Sequence, residues 1–222
     1  SASHLLGTDD LGRDVLSQLL VGARTSLLVG LLAGSLSILL GLVVGLTAGV
    51  VGGLVETVLM RALDVMLTIP FLPLVIVAAA VLGPSMWTTV FLLASVMWAQ
   101  PARELRAQVL SIREREYVKA SRTMGASSAH IGFRYVLPAV VPIAVAQFAK
   151  SASTAILLES SLSFLGLGDP TSPSWGTMLF YAQNRSAFLT DAWTWWVIPP
   201  GVAITVSVLS FTFLSLGVER HT

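Results

Sequence analysis

The sequence predicts an all-α integral membrane protein, a polytopic bundle of membrane-spanning helices. Hydrophobic residues make up 55% of its 222 residues and charged residues only 11%, whereas a soluble domain carries about 25% charged residues. Five stretches are apolar over the roughly 20 residues that a helix needs to cross the hydrocarbon core of a bilayer. So few charges cannot cover a surface in water, and we therefore expect membrane lipid around the bundle.

The five predicted spans are delimited by charges and by turn-forming residues. No charge lies between Arg24 and Glu56, which frames the first span. Gly83-Pro84-Ser85 is a turn signal that separates the second span from the third. The spans cover about residues 26–51, 58–82, 86–109, 137–158 and 192–216.

The distribution of basic residues predicts the orientation, because cytoplasmic loops of membrane proteins carry an excess of lysine and arginine. The segment between the fourth and fifth spans holds a single basic residue, Arg185, whereas the segment between the third and fourth is strongly basic. The basic segment is therefore expected in the cytoplasm, and the other outside the cell. The basic residues of the cytoplasmic segment are Arg103, Arg106, Arg113, Arg115, Lys119, Arg122 and Arg134.

Residues 1–25 are then an external N-terminal segment, and residues 26–222 are the transmembrane domain. The segment lacks the basic and apolar regions of a secretory signal, so the simplest means of export is a further span upstream of Ser1. We expect six spans in the native chain, with both ends in the cytoplasm. Thr8 is expected to cap a short interfacial helix in this segment. The buried side of that helix would hold Leu11, Val15, Leu16 and Leu19.

The cytoplasmic segment 111–135 is expected to be ordered. Its charges are mixed, and helix-forming residues lie on both sides of Gly125. Glycine relieves backbone strain at a turn, and Ser127 or Ser128 can cap a following helix, so two short helices hinged at this glycine are predicted. The alternative is an ordinary basic loop whose charges only set the topology.

Four short motifs in and after this segment resemble the cytoplasmic loop shared by the permeases of ABC importers. The resemblance implies the type I permease fold, with residues 111–135 as a coupling loop that docks in a cleft of a cytoplasmic ATPase and moves when the ATPase closes. The sequence departs from the family at its Glu-Ala-Ala core, where Lys119-Ala120-Ser121 stands, so no single carboxylate is expected to make the docking contact. The motifs are Glu116-Tyr117-Val118, Ala120-Ser121-Arg122, Gly125-Ala126 and Leu137-Pro138, the last of which opens the fourth span.

Further motifs resemble the dipeptide, oligopeptide and nickel permeases, and most closely the second permease of dipeptide importers. This resemblance implies a homologous permease partner, two cytoplasmic ABC ATPases that bind ATP and Mg²⁺, an external substrate-binding protein, and no cofactor in this chain. It also implies alternating access for di- or oligopeptides, or alternatively for nickel or another metal chelate. The motifs are residues 4–16 with Gly22-Ala23-Arg24, Arg61-Ala62-Leu63-Asp64 with Pro70, residues 162–168 and residues 173–179.

Charged residues of the N-terminal segment are candidates for docking the binding protein. Asp9, Asp10, Arg13 and Asp14 are expected to form a hydrated external cluster. This cluster either packs against the bundle and does nothing else, or it helps to seat the binding protein, together with Trp175.

Residues 159–190 are expected to form an external cap over the exit of the fourth span. The stretch 162–179 is too rich in glycine and proline to cross the membrane, and irregular backbone at membrane depth must be buried in protein or line water. Roles in an external gate and in a docking face both remain open. Tryptophans favour the membrane interface, which is the expected place of Trp175, Trp193, Trp195 and Trp196.

Ionisable residues inside spans are costly and indicate function. Arg61 and Asp64 are three residues apart on one helix and can pair with each other, as a structural pair or a gate. Lys150 lies well inside the fourth span with no acid nearby in sequence, so we expect it to face the central pathway or a partner subunit. Glu159 closes the same span and is expected to contact external water.

Several other classes are disfavoured. The chain has no GxxxxGK[ST] phosphate loop and so is not expected to bind ATP or to be an enzyme itself. It has no cysteine and a net charge of +1, which argue against a thiolate metal site and a nucleic-acid partner; the histidines also lack the spacing of metal ligands. A self-sufficient channel or secondary transporter, for which we see no internal repeat, and a membrane scaffold are the remaining alternatives.

Overall fold

The computed structural model describes residues 4–219, without the side chain of Glu219, and within that range the chain is helical and forms no β-strand. The predicted all-α class is confirmed. The α-helices are α1 (Val15–Val51), α2 (Gly53–Thr68), α3 (Phe71–Leu82), α4 (Met86–Met97), α5 (Ala99–Arg113), α6 (Glu116–Thr123), α7 (Ser128–Ile131), α8 (Leu137–Phe164), α9 (Trp175–Asn184), α10 (Trp193–Trp196) and α11 (Ile198–Glu219). A π-helical turn covers Gly132–Val136, and a 3₁₀ turn covers Ala187–Leu189.

Three described helices are long and apolar enough to cross a membrane by themselves, and the bent pair α2–α3 counts as a fourth. The three are Val15–Val51, Ser128–Phe164 and Trp193–Val218. The predicted second span is thus two helices at 85° to each other, because Pro70 lacks an N–H and holds Ile69 in an extended backbone conformation. The predicted third span consists of the 12-residue apolar helix α4, continued by the amphipathic helix α5.

One end of the bundle, called the cap end below, gathers residues 4–14, 83–86 and 165–197. The backbone N–H of Met86, at the start of α4, donates a hydrogen bond to the carboxylate of Asp169, in the loop after α8. The turn between α3 and α4 therefore lies at the same end as the segment between α8 and α11. Residues 159–164 continue α8, so the predicted cap is a separate segment only from residue 165 onward.

The opposite end, called the basic end below, gathers residues 51–56 and 106–136. Arg106 of α5 forms an ion pair with Glu56 of α2. Of the five predicted spans, those that contain α1, the bent pair α2–α3, α8 and α11 are long and apolar enough to cross a membrane, whereas α4 is a shorter apolar helix of 12 residues.

α1 lies at the centre of the bundle and approaches two neighbouring helices through small residues. A Cβ atom added at Gly34 would lie 2.9 Å from the backbone nitrogen of Ala152 in α8, and one added at Gly45 would lie 2.9 Å from the carbonyl oxygen of Ala102 in α5. Close backbone packing of this kind drives helix association in lipid, where the hydrophobic effect between helices is absent. This glycine pattern was not among the features predicted from the sequence.

The fourth span begins earlier than predicted. Helical hydrogen bonding is continuous from Ser128 through the π-helical turn to Phe164, so Leu137-Pro138 lies within a rod and does not open it. Pro138 has no N–H to donate to the carbonyl four residues earlier. The π-helical turn Gly132–Val136 lies immediately before it, in keeping with the usual occurrence of such turns as single bulges inside α-helices. α7, the second helix of the predicted hinge, is therefore the first turn of the span itself.

The first span also begins earlier, and no separate interfacial helix precedes it in the described residues. α1 starts at Val15, and its N-cap is Asp14, whose carboxylate accepts a hydrogen bond of 2.8 Å from the N–H of Ser17. Thr8, the predicted cap, instead forms an isolated β-bridge with Asp14. The prediction was wrong here because an aspartate directly before an apolar run satisfies the free N–H groups of the first turn.

Candidate functional site

The predicted coupling loop has the hinged shape that its sequence indicates. α6 ends before Gly125, whose φ of +90° lies in the left-handed region that glycine adopts without a steric penalty. Ser127 caps α7, since its hydroxyl accepts a hydrogen bond of 3.2 Å from the N–H of His130. The predicted glycine hinge and serine cap are confirmed, but only α6 is a separate short helix, because α7 is the first turn of the fourth span.

One face of the coupling loop is anchored to the bundle. Val118 and Ser121, three residues apart on α6, are both buried. Val118 belongs to a hydrophobic cluster that includes Ile131 of α7, Leu105 of α5 and Val140 of α8. A displacement of α6 therefore acts directly on α5 and α8 at the basic end of the bundle, because the side chains of a packed cluster cannot move independently.

The opposite face is open and both charged and apolar. Met124 is 82% exposed, and Tyr117 is exposed with its ring 5.8 Å from that of Tyr135. A hydrogen bond from Lys119 holds the pKa of the Glu114 carboxyl below its usual range. Large apolar side chains presented together with charges are typical of protein interaction sites. The other predicted coupling residues exposed on α6 and its turn are Glu116, Ala120, Arg122 and Gly125, whereas Ala126 is half-buried.

The two ionisable residues predicted to pair on α2 do not do so. The carboxylate of Asp64 binds Arg103 of α5 at 2.9 Å, and among the described residues no ion pair joins it to Arg61. Arg106, one turn further along α5, binds Glu56 through two guanidinium nitrogens. α2 and α5 are thus joined by two charge pairs, which sequence spacing could not reveal because the partners lie on different helices.

Lys150 has an acidic neighbour that the sequence did not indicate. Its ammonium lies 3.9 Å from the carboxylate of Glu104 on α5. The same carboxylate accepts hydrogen bonds from the side-chain amides of Gln100, at 2.8 Å, and Gln147. Gln100, Gln147 and Lys150 of this polar cluster line a cavity of about 240 Å³ beside the elbow between α2 and α3.

Glu159 does not contact external water as predicted, because it is only 3% exposed. Its carboxylate accepts hydrogen bonds from Ser26 of α1 at 3.0 Å and from Ser163 at 2.7 Å. Ser26 in turn accepts the backbone N–H of Trp175 at 3.2 Å. These four residues join α1, α8 and the start of α9 in one buried network, and a buried carboxylate requires such donors.

The cap is held against the bundle by buried contacts. Trp175 is 4% exposed, and its indole N–H donates a hydrogen bond of 3.0 Å to the carbonyl of Leu19. It is therefore neither at a lipid interface nor on a docking face, contrary to the predictions. Trp196 is also buried, whereas Trp193 and Trp195 are partly exposed, as interfacial side chains would be.

The N-terminal charges are less hydrated than predicted. Burial opposes ionisation of Asp9, but hydrogen bonds from Arg13, Gln18 and Leu11 outweigh it and hold the pKa of this carboxyl below its usual range. Asp14 is engaged as the cap of α1. The reason is local, since the chain turns back on itself here and encloses Asp9. Of the predicted docking residues, Asp10 and Arg13 are exposed, and Asp10 also pairs with Arg185 of the cap at 3.0 Å.

Comparisons with known proteins agree in the kind of protein that this chain resembles. The family described as the binding-protein-dependent transport system inner membrane component matches residues 41–221. The dipeptide transport system permease protein DppC of Escherichia coli strain K12 is 46% identical over 220 residues, which is 99% of this chain and 72% of that protein. The di/tripeptide transport system permease protein DppC of Pseudomonas aeruginosa strain UCBPP-PA14 is 41% identical over 219 residues, 98% of this chain and 71% of that protein.

Among solved structures, the inward-facing MetNI methionine ABC transporter has a chain with the same fold. The TM-score is 0.67 at 16% identity, and the match covers 90% of this chain and 96% of that chain. At this identity the match supports only the fold, which is that of a type I ABC permease.

Proposed function

The chain belongs to the family of inner membrane components of binding-protein-dependent transport systems and is a permease subunit of an ABC importer, and from this premise we propose that it imports di- or oligopeptides. The observation that carries the substrate class is the 46% identity, over 99% of the chain, to a protein named as a dipeptide permease. Selectivity in such systems also depends on the binding protein, so nickel or another chelate is the alternative substrate.

We further propose the assembly in which the chain works. Its partners are a homologous permease, two cytoplasmic ABC ATPases that bind ATP and Mg²⁺, and an external substrate-binding protein. The basic end would face the cytoplasm, in keeping with the positive-inside rule, and the cap end would face the binding protein. Asp10 and Arg13 are the remaining candidates for contacting that protein.

The coupling loop would transmit the state of the ATPase to the spans. The exposed face of α6, with Glu116, Tyr117 and Arg122, would lie in a cleft of the ATPase, and Gly125 would keep α6 at a fixed angle to the rod α7–α8. The buried contact of Val118 with α5 and α8 supports this role. The bundle would then alternate between two states whose balance the nucleotide shifts.

Proteoliposomes containing the complete complex test the transport function. With ATP enclosed and the binding protein outside, radiolabelled dialanine should accumulate, and it should not accumulate without ATP. Accumulation of chelated nickel in place of the dipeptide would favour the alternative substrate. Uptake of the dipeptide that continues without ATP would favour a channel or a secondary transporter.

The hinge is tested by Gly125→Pro, because proline is locked near φ −65° and cannot adopt +90°. The variant should insert and assemble but lose the ATPase stimulation that substrate-loaded binding protein causes. Gly83→Pro is the matched control, since Gly83 also has a positive φ but lies at the cap end. Normal stimulation in Gly125→Pro would contradict the coupling role.

A further inference from the structure

We propose that Lys150 forms a binding site for the terminal carboxylate of a peptide that passes through the bundle. This inference rests on the proposed peptide substrate and assigns one part of the transport path to named side chains. It begins with the cavity of about 240 Å³ that Lys150 lines between the α2–α3 elbow, the α4–α5 junction and α8.

The ammonium of Lys150 is the most loosely held cation among the ion pairs of residues 4–219. Its distance to Glu104 is 3.9 Å, whereas every other ion pair in that range is 3.2 Å or shorter. Glu104 already accepts hydrogen bonds from Gln100 and Gln147, so its charge is stabilised without a close contact to the lysine. The carboxylate keeps the ammonium in the cavity but leaves its hydrogen-bond donors free for a ligand.

A positive charge in mid-span is expensive and is retained where it faces a polar pathway. The Lys150 side chain is 60% exposed, and Lys150 lines the cavity. Phe71, the first residue of α3, lines the same cavity, so the positive end of the α3 dipole adds to the potential there. The site is therefore suited to an anionic group.

The other residues that line the cavity indicate which kind of anionic group it can bind. Leu67, Phe71, Val96 and Met97 form an apolar side that faces the polar cluster. Drug-sized ligands occupy pockets of roughly 300–1,000 Å³, so this cavity fits a smaller unit, such as one terminal residue of a peptide with its carboxylate. Every peptide has this carboxylate whatever its side chains, which suits a permease that must pass many sequences.

Loose pairing with Glu104 also permits release. A transport site must bind its ligand well enough to admit it and weakly enough to let it leave. As the carboxylate departs, Glu104 can again stabilise the ammonium, so the lysine is never left without a counter-charge.

Chemical labelling provides a direct test, because the chain contains two lysines, Lys150 and Lys119. Their side chains are equally exposed, at 60% and 59%, and Lys119 lies at the basic end. The complete complex in nanodiscs is acetylated with an amine-reactive ester in the presence of dialanine or dialanine amide, and labelling at each lysine is measured by mass spectrometry. Both peptides carry the same amine and consume the reagent equally.

Dialanine at about ten times its dissociation constant should lower the Lys150-to-Lys119 labelling ratio about tenfold, and dialanine amide should leave the ratio unchanged. Equal protection by both peptides, or protection by neither, would overturn the proposal. This measurement needs neither ATP nor the binding protein, so it remains informative if the proposed transport of peptides fails.

Transport by variants is the second test. Lys150→Gln should lower dialanine uptake per ATP hydrolysed about tenfold, as expected for the loss of one hydrogen bond to a charged group, while ATPase stimulation by the loaded binding protein is unchanged. Lys150→Arg should restore most of the uptake. Arg24→Gln is the control, since it removes an exposed positive charge from α1. A proportional fall of uptake and ATPase activity in Lys150→Gln would indicate a structural role and contradict the proposal.

Discussion

Ser26→Ala should weaken the junction between α1, α8 and α9 far more than the same substitution elsewhere on α1. The Ser26 hydroxyl donates to the Glu159 carboxylate at 3.0 Å and accepts the Trp175 N–H at 3.2 Å, and all three groups are buried. In Ser26→Ala the Glu159 carboxylate keeps Ser163 as a donor, whereas the backbone N–H of Trp175 loses its partner, and a buried polar group left without a partner costs about 1–3 kcal/mol.

Ser37→Ala is the matched control. Ser37 is also fully buried on α1, but its hydroxyl has no hydrogen-bond partner among the described residues. Removing an unpaired buried hydroxyl relieves a desolvation cost, so this variant should be neutral or slightly stabilised.

The assay is thermal unfolding of the complex in nanodiscs, followed by tryptophan emission. A change of 1 kcal/mol shifts Tm by about 2–4 °C in a chain of this size, so the cost of about 1–3 kcal/mol should lower the Tm of Ser26→Ala by roughly 2–12 °C, and Ser37→Ala should not lower it. Equal falls in both variants would refute the claim that the serine–glutamate network holds the cap in place.

Three further predictions can be checked with the same unfolding assay. Arg106→Ala should cost more stability than Arg103→Ala, because the Arg106 ion pair is largely buried and the Arg103 pair is half-exposed; a reversed order would contradict this ranking. Gly176→Ala should destabilise the cap by about 1–3 kcal/mol, since the new Cβ would lie 2.5 Å from the Ser160 carbonyl oxygen, and an unchanged Tm would show that the cap can shift. The pKa of Asp9 is lowered in the folded state, so its stabilising contribution is present above about pH 4 and is lost as the pH falls through the folded-state pKa. The Tm difference between Asp9→Asn and wild type should therefore shrink as the pH is lowered from 7 to 3, and a constant difference would contradict this.

The hinge at Gly125 could be predicted because it depends on neighbouring residues. A glycine between two helix-forming segments, followed by a capping serine, determines local backbone geometry wherever the segment lies. Two of the predictions that failed concern tertiary partners. Asp64 binds Arg103 rather than Arg61, and Glu159 is enclosed rather than hydrated.

The sequence alone determined that this chain is a lipid-embedded helical bundle with one basic end, because apolar length and charge distribution act on each segment separately. Its motifs also indicated the permease family. The tertiary structure decided which charges meet, such as Lys150 with Glu104. Such pairs depend on how closely the helices approach and on which faces they turn to one another. Glycines of α1, among them Gly34 and Gly45, set these distances, and no spacing along a single helix encodes them.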